Sequence, residues 1–169
     1  MTRILKLAIP FLICATSSTA FSQMQNLILT KEQNTKWLDS LKTSPLDLQL
    51  IAIKCRLLAD TNVFVRQFYN DRLKVDDQVD NRVYGDGKPT LVIGGRPMII
   101  DNKTATNKIL GLTNLLTQAH IKQISILTDR DPATSAIYGS PGLNGIIVMT
   151  VTKRKYLRMF HRLKLYPNY

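Results

Sequence analysis

The 169-residue sequence reads as an α+β fold, a helical N-terminal part packed on a small mixed β-sheet with strand–helix–strand order. Three observations carry that reading. Residues 30–59 place leucine and isoleucine at helical spacing behind two helix-start signals. From Thr90 the texture changes to short apolar runs, glycine turns and one further helical stretch. The last run, GIIVMTVTK, is apolar on both faces, as a strand in the middle of a sheet is. A chain of this length suffices for one domain with a real core.

The first residues stand apart from that core. Arg3 and Lys6 make a positive start, and LAIPFLICA is a short apolar stretch. Ala20 and Ser22 are small residues at −3 and −1 of a cut before Gln23. Together these are the parts of a secretory signal peptide over residues 1–22. A retained anchor would need roughly 20 unbroken apolar residues, and Pro10 and the TSST stretch interrupt this one. After cleavage Cys55 is the remaining cysteine, so no intramolecular disulfide forms. Among Ile53, Leu57 and Leu58 on a helix, it reads as a buried, inert thiol.

The formal charge of +11 is unevenly spread. Of the 23 Lys and Arg residues, two fall in the leader and six in KRKYLRMFHRLK, which has no acid; the remaining 15 face all 12 acids. The body is near neutral and the tail basic. Basic surface seeks anionic partners. For an exported chain these are an envelope protein or an anionic membrane surface, and not nucleic acid.

Taken in order, Thr30 and Gln33 fit the N-cap and N3 of a capping box that opens a helix through Trp37 and Leu41. Ser44-Pro45 restarts the chain, Ser44 as N-cap and Pro45 at the first helical position. Leu46, Leu50, Ile53 and Leu57 then give residues 45–59 one buried face. NVFVRQFY suits a helix by its phenylalanines and a strand by its valines. KVDDQVDNRVYGDGKP reads as a solvated connection between two halves. It does not follow EF-hand order, because Val79 stands where a ligand belongs if Asp77 opens the loop.

TLVI and RPMII flank Gly94-Gly95, a two-residue hairpin signal. TNKILGLTNLLTQA carries Ile109, Leu112, Leu116 and Ala119 on one helical face, with Gly111 a weak point. IKQISIL is a strand. Asp131-Pro132 caps a short helix through Tyr138, ended by Gly139, and the central strand follows. The organisation is a helical region at 23–87, a sheet region at 88–153 and a basic tail at 154–169.

Gly139, Gly142 and Gly145 are spaced GxxGxxG. A phosphate cradle needs glycines that follow a strand and open a helix. Here a helix precedes and a strand follows, and Pro141 removes an N–H donor. The loop reads as a helix cap, a turn, and an Asn144-Gly145 turn into the strand.

PTLVIGGRP followed by IKQISILTDRDPATSAIYGSPGLNGIIVMTVTK resembles the plug domain of TonB-dependent outer-membrane receptors, especially those importing glycans and other large nutrients. The likeness rests on the hairpin at Pro89 to Gly95, the strand at Ile121 to Leu127, the helix and turn at Asp129 to Ser140, and Gly142 to Ile147 with its strand. It marks Asp129, Tyr138, Gly139, Gly142, Asn144 and Gly145 as the residues of a structural turn. Gly94, Thr128 and Pro141 stand where the family has aspartate, lysine and arginine, so contacts made there in receptors do not carry over. In receptors the plug gates a pore and senses bound substrate. Only 16 residues follow Lys153, too few for a barrel of many strands, so the resemblance implies a free-standing plug. It implies a periplasmic, outer-membrane-associated or secreted protein.

Other chemistry is thin. His120 and His161 lack any Cys/His spacing for a metal, no cofactor motif stands out, and His120 reads as the end of a helix. Ser135 and Ser140 lie in the plug-like turn, and Tyr138 reads as packing beneath it. In the C-terminal stretch, Tyr156, Met159, Phe160 and Leu163 fall on one side of a helix. Lys155, Arg158 and Arg162 fall on another; this suits a helix packed on the sheet with a solvated basic face, or a surface helix touching anionic lipid, for which these three are the candidates for attachment. The expected function is a non-catalytic, exported binding module of the cell envelope linked to TonB-dependent uptake. The alternative is an exported hydrolase whose Ser, His and Asp converge in space.

Overall fold

Helix α1 (Lys31–Thr43) starts where the capping box puts it. Thr30 Oγ1 accepts from the Gln33 amide at 3.2 Å, and Gln33 Oε1 accepts from the Thr30 amide at 3.1 Å. Helix α2 (Leu46–Ala59) starts one residue later than its sequence implies. Ser44 does not cap it. The Ser44 amide closes α1 on Leu41 O, and its hydroxyl donates back to Ser40 O at 2.8 Å. Pro45 takes the cap position, its carbonyl accepting from the Gln49 amide at 2.9 Å. The junction is so short that one serine cannot end the first helix and begin the second.

The structure, a computed structural model, describes residues 27–65, 68–69, 72–73, 83–98, 100, 104–128, 130, 134, 137 and 140–166. The expected leader lies outside them. So does the expected helix from Asp131 to Tyr138, apart from Thr134 and Ile137, which are helical.

After a 3-10 turn at Asp60–Asn62, the described residues that follow in the ambiguous stretch are extended: β1 (Val63–Val65) and β2 (Phe68–Tyr69). Strand β2 pairs antiparallel with β3 (Arg72–Leu73), and β1 pairs parallel with β4 (Val83–Gly85). The connection expected at 74–89 therefore holds a strand. Its end is tied to the N-terminal segment, with the Asp86 amide on Leu29 O and the Lys31 amide on Asp86 Oδ2.

Strands β5 (Thr90–Ile93) and β6 (Arg96–Pro97) form the expected hairpin, with Ile93 opposite Arg96. Gly94 and Gly95 at its tip have φ of 62° and 78°, the sense of twist that two-residue hairpins favour. Helix α3 (Thr106–Leu115) buries Ile109 and Leu112, followed by Leu116. It stops short of Ala119, which is exposed. The Ile121 amide instead reaches Thr117 O at 2.8 Å, turning the chain into β7 (Ile121–Leu127). The glycine inside α3 has a packing reason, because a Cβ on Gly111 would stand 2.9 Å from Leu163 Cδ2.

Strand β8 (Ile146–Val151) is central in the order β6-β5-β8-β7, parallel to β5 and antiparallel to β7. Ile147 and Met149 face the helices, while Ile146 is buried on the other side with Val92 of β5. Along β7, Ile124 and Ile126 keep the alternation, but Ile121 is also fully buried. A register irregularity between Ile121 and Gln123 makes this possible, since one extra residue turns the next side chain to the opposite face.

Helix α4 (Arg154–Arg162) closes the fold, capped by Leu163 and followed by Lys164, whose φ is 52°. One core cluster joins Leu38 and Leu41 of α1, Ile53 of α2, Leu112 of α3 and Phe160 of α4 to the inner face of the sheet. No helix among the described residues is long and apolar enough to cross a membrane.

Candidate functional site

The expected turn is described in part. Asp129, Tyr138 and Gly139 lie outside the described residues. Gly142, Asn144 and Gly145 come together in and just after a 3-10 turn at Ser140–Asn144. The Gly145 amide donates to Gly142 O at 3.0 Å, and Gly145 O accepts from the Thr90 amide at 3.0 Å. Asn144 O accepts from Asn34 Nδ2 at 2.7 Å. These backbone groups join strand to strand and the turn to α1. Gly142 fits because a Cβ there would stand 2.8 Å from Thr134 O.

The expected attachment residues do share one surface. Lys155, Arg158 and Arg162 are exposed on α4 together with Arg154. The opposite face is anchored by Phe160, which is fully buried, with Tyr156, Leu157 and Leu163 half-buried. Met159 departs from the expected apolar side. It is 36 % exposed at the border of the basic face, and Leu157 takes its place against the core. The cause is angular, because each residue turns the helix by about 100° and Met159 falls outside the arc that holds Phe160, Tyr156, Leu157 and Leu163. Lys155 Nζ lies 4.9 Å from the centre of the Tyr156 ring, a cation–π contact that holds its stem along the helix.

His120 does not lie within α3. It sits in the turn after the helix and closes it, Nδ1 donating to Leu115 O at 2.8 Å, with its ring against Tyr156 at 4.2 Å. His161 meets Tyr166 edge-on at 4.9 Å. Cys55 is on α2 as expected but only half-buried.

A third site escapes the sequence reading. At the end of α2, Arg56 Nε donates to Asp60 Oδ2 at 2.5 Å, with the two side chains 6 % and 8 % exposed. The Arg56 guanidinium lies over the Trp37 ring, 5.2 Å from its centre, and Lys88 Nζ donates to Asp60 O at 2.6 Å. These groups line a small pocket of about 30 Å³, partly open to solvent, with apolar walls from Ile53, Leu57, Leu91 and Ile147. Burial pushes the Asp60 carboxyl above its ordinary value, against the pull of Arg56 and, less strongly, of Lys88. Among the described residues, neither serine nor histidine stands in its walls.

A signal for this site existed in the sequence. Gln49, Ile53, Arg56 and Asp60 recur at helical spacing on the buried side of α2, and Arg56 and Asp60 are opposite charges four residues apart. Such a pair reads as solvated unless its helix face is known to be covered. No family model, curated protein or solved structure matches the chain.

Proposed function

We propose that the protein is an exported, non-catalytic, plug-domain-like binding module of the cell envelope, linked to TonB-dependent nutrient uptake. It attaches to an anionic membrane surface through the basic face of α4. The likeness of residues 88–153 to the receptor plug supports the first part, as does the order hairpin, helix, strand, central strand.

The observation that carries the attachment is the place of Arg154 and Lys155. They open α4, whose first turn contains no acid. Positive charge at a helix N-terminus opposes the macrodipole, an effect of about 0.3–1 kcal/mol for each residue. Charges that weaken their own helix, on a solvent face continuous with Arg158 and Arg162, point to an outside partner. Each Lys or Arg near an anionic bilayer contributes about 1 kcal/mol, fading over a Debye length of about 8 Å at physiological salt. Met159 at the border of that face supplies an apolar contact at headgroup depth.

Sedimentation with phosphatidylserine-containing vesicles tests this. Binding is expected at low salt, weaker at physiological salt, and weaker again for Arg158→Glu/Arg162→Glu. No co-sedimentation at low salt overturns the attachment.

A further inference from the structure

Helix α2 is apolar on the side that faces away from the core as well as on the side that meets it. Leu50, Ile53 and Leu57 are buried where α2 packs on α1, α3 and β7. Leu48, Ile51, Cys55 and Leu58 follow one another three, four and three residues apart. At about 100° per residue they run down the opposite side. Leu48 and Leu58 are 51 % and 43 % exposed, with Ile51 and Cys55 half-buried between them. A single exposed leucine is ordinary, but the solvent side of a helix packed on a core is normally polar. Alternate steps of three and four mark the seam along which two helices pack.

We propose that this side of α2 pairs with the same side of α2 in a second copy of the chain, the two helices antiparallel about a two-fold axis at Ile51. Charge chooses both the partner and the direction. One edge of the stripe carries Ala52 and Ala59, small residues that let two backbones approach. The other edge carries Asp47 and Lys54, seven residues and so about two turns apart. Reversing one helix about Ile51 brings Asp47 of each copy beside Lys54 of the other. The same reversal sets Leu48 against Cys55 of the second copy, and Ile51 against its own counterpart. A parallel pair would lay Asp47 and Lys54 along the alanine edge and match neither.

Other covers fit the stripe less well. An anionic bilayer draws helices with a strongly basic polar face, and the two charges beside this stripe cancel. The leader is apolar, but it carries Arg3 and Lys6 and has no acid to meet Lys54. A stable interface takes roughly 800 Å² from each partner, more than one face of a 14-residue helix supplies. The pairing is therefore weak and reversible. It does not involve the basic face of α4, and neither proposal rests on the other.

Sedimentation equilibrium of the full chain, expressed with its own leader, tests the pairing at physiological salt. A monomer–dimer equilibrium is expected, half-associated at roughly 100 μM as suits a small interface. Leu48→Gln and Leu58→Gln replace exposed side chains, so circular dichroism should not change, while association should weaken about tenfold. Asp47→Lys and Lys54→Asp should each weaken self-association several-fold, because each sets like charges together twice. Mixed in equal amounts, these two variants should associate more tightly than either does alone, since every facing pair is then opposite. Altered folding of one variant cannot produce that gain.

The proposal is overturned if the full chain stays monomeric to several times that concentration, which would leave the stripe to another cover. Dimers that neither leucine variant weakens also overturn it, as does a mixture that associates no more than its components. Should a charge variant not fold, the unaltered chain and the leucine variants decide the matter. No vesicle enters this experiment, so its failure leaves the attachment through α4 untouched.

Discussion

Gly145 carries two constraints at one Cα. Its φ of 82° lies in the left-handed region, and a Cβ there would collide with Leu38 Cδ1 while standing 3.2 Å from Leu127 O. Gly95 has the first constraint alone, with φ of 78° and nothing within 4 Å of a Cβ. Gly145→Val should therefore lose more than about 1 kcal/mol, because strain and collision add. Gly95→Ala should lose only the left-handed cost of about 1–2 kcal/mol, and Gly145→Ala should exceed it. Urea unfolding of the three variants checks the order, and equal losses for the two alanine variants would contradict it. Asp60 gives a pH signature. Its folded carboxyl holds a proton to higher pH than the unfolded one, because burial outweighs Arg56 and Lys88. Its stabilising contribution is fully present below the ordinary value of 3.8 and is lost as pH rises through the raised folded value. Urea midpoints across the acidic range should show that decline in the unaltered chain and lose it in Asp60→Asn.

Helix α4 divides its work between two faces. Phe160 is fully buried, and the helix packs on α3 and β8. Phe160→Ala should cost about 3–5 kcal/mol through the cavity it leaves. Arg158→Glu/Arg162→Glu changes only exposed side chains, so its stability should stay within about 0.5 kcal/mol per substitution. Melting curves of the two variants check the contrast, and a large loss from the charge reversal would assign those arginines to packing. This division was half legible. The run of apolar and basic residues at helical spacing marked an amphipathic helix. The side taken by Met159 depended on where α3 and β8 stand, which no local pattern contains.

The core argues for one cooperative unit. Leucines of α1 and α2 lie in the same buried cluster as the inner face of the sheet and Phe160. Trp37 reports the helical part, and circular dichroism reports the whole. The two urea transitions should coincide, as two-state unfolding requires. Separate midpoints would mean that the helices and the sheet unfold independently. The segments 23–87 and 88–153, though read apart in sequence, meet across this core.

Local rules placed most of the elements. The Thr30–Gln33 capping box, the Gly94-Gly95 hairpin, the buried spacing of Leu50, Ile53 and Leu57, and the two-sided apolar run of β8 are all governed by residues within a few positions of one another, and each appears as read. The rest depended on long-range contacts. The irregularity that turns Ile121 into the core depends on the register with β8, and the end of α3 before Ala119 depends on the turn into β7. The Arg56 pocket is the clearest case. An arginine and an aspartate four residues apart favour water on an isolated helix. Here Trp37 and Lys88 come from α1 and from the segment before β5, and together with the sheet they enclose the pair. Burial is a property of what packs on a helix, and a helix sequence does not carry its neighbours' positions.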